Sequence, residues 1–139
     1  GGMLLLGEKL RDENNIDYSM AGILPINAKK GSLKIGYREL ICNQKNLIAK
    51  KGDKIIAHEF HRWNLTTDIE ERLRINSSNL IKKPILNRAW TARGWRCNAK
   101  KEGWSTRFIL ASWMHLHWAS NRNILNNWAN SVIRITARN

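Results

Sequence analysis

Phe108-Ile109-Leu110-Ala111-Ser112-Trp113-Met114-His115-Leu116 is the longest apolar run of the chain. Apolar on both alternating faces, it predicts a strand buried at the centre of a sheet. Downstream the spacing becomes helical, with Ile124, Leu125, Trp128, Val132 and Ile133 recurring on one side of residues 123–133. Upstream, Lys54-Ile55-Ile56-Ala57-His58, Leu33-Lys34-Ile35-Gly36-Tyr37 and Ile23-Leu24-Pro25 read as short strands separated by Gly and Lys turns. At the start, apolar residues at 3, 4, 5, 6 and 10 predict a short buried helix from Met3 to Leu10, ended by the charged turn Arg11-Asp12-Glu13-Asn14-Asn15. The polar stretch from Asn64 to Lys83 supports no assignment and reads as a surface excursion. Helix, strands and closing helix together predict a mixed α/β architecture.

Composition bounds the function. With 139 residues, 42% of them hydrophobic and seven Trp, the chain has the apolar mass for one domain. No run approaches the roughly 18 apolar residues that span a bilayer, and the N-terminus lacks the charge order of a signal peptide. A soluble, cytoplasmic protein without a membrane partner is expected. Cys42 and Cys97 are too few and too isolated for a disulfide framework, and no CxxC pair is present. The net charge of +13 raises nucleic acid as a partner. The lysines, however, fall in pairs (29–30, 50–51, 82–83, 100–101) rather than in a basic block, which reads as solvated surface and not as a specific nucleic-acid footprint.

Three segments set ionisable or glycine residues into apolar surroundings. Ala57-His58-Glu59-Phe60-His61-Arg62-Trp63 gathers two His, a Glu and an Arg at a strand end. Ala111-Ser112-Trp113-Met114-His115-Leu116-His117-Trp118 puts two His on one strand face. Gly1-Gly2-Met3-Leu4-Leu5-Leu6-Gly7-Glu8 opens a helix with glycines, whose bare backbone can approach a ligand with unpaired N–H groups. Each has a plainer reading. A strand-end His beside Trp is more often a packed core residue, and HxxH and HxH spacings are weak signals for a metal, so no metal site is assigned.

Taken in order, these segments resemble the cobyrinic acid a,c-diamide synthase family of glutamine amidotransferases. Residues 1–8 are similar to the helix after that family's nucleophile elbow. Met20-Ala21-Gly22-Ile23-Leu24-Pro25 and Leu33-Lys34-Ile35-Gly36-Tyr37-Arg38-Glu39 resemble its next segments, His58-Glu59-Phe60-His61 its HEFH segment, and residues 111–118 its closing His-x-His strand. The resemblance implies that residues 1–139 are the C-terminal part of a class I glutamine amidotransferase domain, α/β and flavodoxin-like, with the first strands missing. It implies a ligase of cobalamin biosynthesis that takes nitrogen from glutamine and amidates the a and c carboxylates of the corrinoid cobyrinate; hydrogenobyrinate remains open as the alternative substrate. His115 would be the catalytic base, Gly1 an oxyanion donor, and His58, Glu59, His61 and His117 possible rim residues. The family's nucleophilic Cys would stand before Gly1, and ATP and Mg would bind in an N-terminal synthetase domain acting as partner. No cofactor is expected in this segment, which carries no GxxxxGK[ST] loop, and Cys42 and Cys97, lacking the Gly-rich elbow, do not replace the nucleophile. The chain alone is expected to be inactive. Two other readings stay open, a basic Trp-rich module binding single-stranded nucleic acid and a scaffold without activity.

Overall fold

The computed structural model describes residues 1–66 and 86–137, so the predicted excursion lies almost wholly outside the described residues. The chain divides into two compact units, Gly1–Lys34 with His61–Pro84 and Ile35–Phe60 with Ile85–Asn139. The fold class is α/β, with a mixed, multistranded sheet.

In the first unit a short helix α1 (Gly2–Leu5) leads into strand β1 (Lys9–Arg11). β1 pairs antiparallel with β2 (Asp17–Ser19) and parallel with the start of β3 (Asn27–Cys42). The predicted helix over Met3–Leu10 therefore stops at Leu5. The backbone beyond it is taken by another segment: Glu8 N–H donates to Ile26 O at 2.8 Å and Leu24 N–H to Leu6 O at 2.7 Å. Gly7 is required there, since a Cβ would lie 2.9 Å from Ile26 O. The same contacts turn Ile23-Leu24-Pro25 into a bend rather than a strand, with Gly22 at φ +67 and Leu24 and Ile26 buried. The predicted turn at 11–15 is present, built on Asp12, whose Oδ1 accepts from the amides of Asn14 and Ile16.

In the second unit the end of β3 pairs antiparallel with β5 (Asn87–Gly94), β5 with β6 (Cys97–Ser105), and β6 with β7 (Leu110–Ala111). β4 (Lys54–Leu65), whose first residues belong to this unit, pairs antiparallel with β8 (Met114–His115). A 3-10 turn (Trp118–Ser120) and helix α2 (Arg122–Thr136) follow. Period-2 burial along β3 and β4 puts Leu40, Cys42, Ile55 and Ala57 into a core with Ile48, Trp90, Met114 and Ile124. Full burial of a side chain such as Leu40 stabilises by roughly 1.5–3 kcal/mol.

The run Phe108–Leu116 is not one central strand. It is two two-residue strands interrupted at Ser112-Trp113, with Phe108 exposed. Helix α2 is where the spacing predicts it, but of its apolar residues only Ile124 is buried.

Candidate active site

His58 and His115 meet in the second unit. The β4–β8 ladder sets His58 opposite His115 and Glu59 opposite Met114. The His115 side chain is exposed, and its Nδ1 lies 3.1 Å from the His58 carbonyl oxygen. A carbonyl can only accept, so this bond puts the proton on Nδ1 and leaves the Nε2 lone pair available as a base. The half-buried His58 ring contacts Tyr37, at 5.3 Å between centroids, and stacks on Phe60, at 6.2 Å. These rings form an aromatic face around the residue that orients His115.

Glu59 points the other way. It is 1% exposed and binds Arg38 Nε at 2.8 Å and Lys100 Nζ at 2.9 Å. Such a group holds β4 in place and has no free face for a substrate. His117 lies beyond the end of β8, so the two histidines do not share a strand. Its backbone carbonyl accepts from Ser120 Oγ at 2.6 Å, which fixes the 3-10 turn. Gly1 and His61 belong to the first unit. Gly1 is exposed and its carbonyl accepts from Leu5 N–H, so α1 begins there; His61 is buried, and its Nδ1 accepts from the amide of Trp63 at 3.3 Å.

Composition hides one group near this site. Glu102, in a stretch that reads as a surface charge cluster, is buried, and its carboxylate accepts from Ser112 Oγ at 2.7 Å and Trp113 N–H at 2.8 Å. Burial pushes its pKa upward against the opposing pull of those two bonds. The clue in the sequence is Glu102-Gly103-Trp104, an acid followed directly by a glycine and a large aromatic. Gly103 has φ +68 and packs where a Cβ would lie 3.1 Å from Ala111 O.

Cys42 lacks the surroundings of a nucleophile. Cys42 is buried, donates to Gln44 O at 2.9 Å, and is pushed up to about 11 by burial, which leaves about one molecule in 10⁴ as thiolate at neutral pH. Cys97 is partly exposed at the start of β6, on the far side of a turn from Gly94. Among the described residues, no three His, Cys, Asp or Glu side chains converge as a metal site would require. No described helix is long and apolar enough to cross a membrane.

Residues 1–123 match the family of CobB/CobQ-like glutamine amidotransferase domains. Curated relatives include the cobyrinate a,c-diamide synthase of Salmonella typhimurium, 28% identical over 137 residues, which cover 97% of this chain and 27% of that protein. The Saccharolobus solfataricus synthase is 31% identical over 121 residues, 86% of this chain and 25% of the relative. The Synechococcus synthase is 27% identical over 139 residues, 99% of this chain and 27% of the relative. The chain thus spans about a quarter of the length of these relatives.

Proposed function

The chain belongs to the CobB/CobQ-like glutamine amidotransferase domain family, and on that premise we propose that it supplies glutaminase residues to a cobyrinate a,c-diamide synthase of cobalamin biosynthesis. The match of residues 1–123 to that domain carries the reading.

In this reading residues 1–139 are the C-terminal part of the glutaminase domain, and a Cys thiolate outside these residues attacks the side-chain amide carbon of glutamine. The carbonyl π pair moves onto oxygen, giving an oxyanion that backbone N–H donors stabilise. His115 Nε2, free because Nδ1 is engaged by the His58 carbonyl, takes the thiol proton and returns it to the departing nitrogen as ammonia leaves. Water then cleaves the thioester to glutamate, with His115 again moving the proton. Ammonia passes to the synthetase portion, which would join it to the a and c carboxylates of cobyrinate, with ATP supplying the activation when bound there. The chain has no GxxxxGK[ST] loop, so we assign ATP and Mg to that portion. We assign His58 to orienting His115 and Glu59 to anchoring β4, while His61 and His117 hold backbone near their own segments.

The test is a chimera in which this chain replaces the matching segment of the Salmonella typhimurium relative. Glutamate release should fall roughly 10²- to 10⁴-fold on His115→Ala, the usual worth of a general base. Should the chimera not fold, an alanine substitution in the Salmonella protein at the position aligned with His115 gives the answer. An unchanged rate in either protein removes His115 from the mechanism. The chain by itself is expected to release no glutamate above buffer; release abolished by Cys42→Ala or Cys97→Ala would place the nucleophile within it.

A further inference from the structure

Between β7 and β8 the chain changes partners. Ala111 pairs with Trp104 of β6, whereas Met114 and His115 pair with Glu59 and His58 of β4. Crossing from one strand to the other takes two residues, Ser112 and Trp113, and the amides around the crossing need other acceptors. Glu102 Oε1 accepts from Trp113 N–H at 2.8 Å, and Ser112 Oγ accepts from Met114 N–H at 3.0 Å while donating to Glu102 Oε2 at 2.7 Å. One buried carboxylate therefore holds the Trp113 amide directly and the Met114 amide through the Ser112 hydroxyl. Left-handed backbone at Gly103 accompanies it, at a position where a Cβ would crowd Ala111 O at 3.1 Å.

We propose that Glu102 is a positioning residue for His115: with the Ser112 hydroxyl it fixes the crossing between β7 and β8, and so the register in which His115 Nδ1 meets the His58 carbonyl. The two-residue β8 has no length of its own to hold that register. Its opposite side is held by β4, where Glu59 is anchored by Arg38 and Lys100. A shift of one residue at β8 would send the His115 side chain to the other face. The catalytic consequence rests on the assignment of His115 as base, but the structural one does not.

Nitrogen-15 NMR of the imidazoles in the 139-residue chain reads the register directly. In the parent chain His115 should hold its proton on Nδ1, with Nε2 showing the shift of an unprotonated ring nitrogen. Ser112→Ala and Glu102→Ala should each release His115 to the tautomer mixture of a free imidazole, while Ser112→Thr, which keeps the hydroxyl, should retain the parent signature. Should Glu102→Ala fail to fold, the Ser112 pair decides. Retention of the Nδ1–H tautomer in Ser112→Ala would overturn the proposal, as would its equal loss in Ser112→Thr. In the Salmonella chimera, Ser112→Ala should lower kcat for glutamine hydrolysis about tenfold or more with KM little changed. If His115→Ala leaves that rate intact, the base assignment fails while the tautomer result stands. If His115→Ala abolishes the rate and Ser112→Ala changes neither rate nor tautomer, the positioning role fails alone.

Discussion

Glu59 and Glu102 are both buried carboxylates, yet they are stabilised differently and respond to substitution differently. Glu59 is charge-paired, and Glu59→Ala leaves the Arg38 guanidinium, 8% exposed, without its partner. Breaking a buried pair from one side costs about 3–5 kcal/mol, which denaturant unfolding should register as a lower midpoint at unchanged slope. A loss below about 1 kcal/mol would mean that Lys100 or water takes over. Glu102 is held mainly by neutral donors, and burial raises its pKa above the ordinary value of 4.5. A raised acid binds its proton more tightly folded than unfolded. Its contribution is therefore complete below the unfolded pKa and is lost as pH rises through the folded one. Melting the parent beside Glu102→Gln should show the parent's advantage shrinking between about pH 4 and the folded-state pKa; an advantage that grows over that range contradicts the burial argument.

Helix α2 exposes the face that its spacing predicts to be buried. Leu125, Trp128, Val132 and Ile133 are exposed, and Trp128 meets only the neighbouring Trp118 edge-on among described rings, at 5.8 Å. The attached face carries Ile124, Asn127 and Ser131, spaced three and four apart. Asn127 Nδ2 donates to Ile48 O at 3.1 Å and Ser131 Oγ to Leu47 O at 2.9 Å. Ser131→Ala and Asn127→Ala should each cost about 1 kcal/mol, whereas Val132→Lys should cost less than about 0.5 kcal/mol. The reverse order in thermal unfolding would return the helix to the orientation its hydrophobic pattern suggests. At β6, Gly103→Ala combines a left-handed backbone with a 3.1 Å approach to Ala111 O and should cost about 1–3 kcal/mol, with earlier hydrogen exchange at Trp113 and Met114 than in the parent.

Over the whole molecule the +13 charge and seven Trp would suit a nucleic-acid binder if the rings were platforms. Trp90 and Trp104 are core residues, Trp63 and Trp113 are half-buried, and Trp118 and Trp128 pack on each other, so Trp95 is the fully open ring. Single-stranded DNA should bind at about 150 mM salt no tighter than the roughly 10⁻⁴ to 10⁻⁶ M of non-specific contacts; nanomolar binding would revive the other function. The sequence alone determined the α/β class, the turn at Asp12, the strands within β3 and β4, the closing helix and the ordered segments that mark the family. All of these are local: a period, a turn residue or a short motif carries them along the chain. The division of Phe108–Leu116, the early end of α1, the polar seating of α2 and the burial of Glu102 came only with the tertiary structure. Each depends on which distant segment supplies a hydrogen-bond partner: Ile26 for Glu8, Leu47 and Ile48 for the helix, Ser112 and Trp113 for Glu102. Hydrophobic periodicity reports how much apolar surface a segment has to bury, but not which backbone groups remain to be satisfied once the strands have paired.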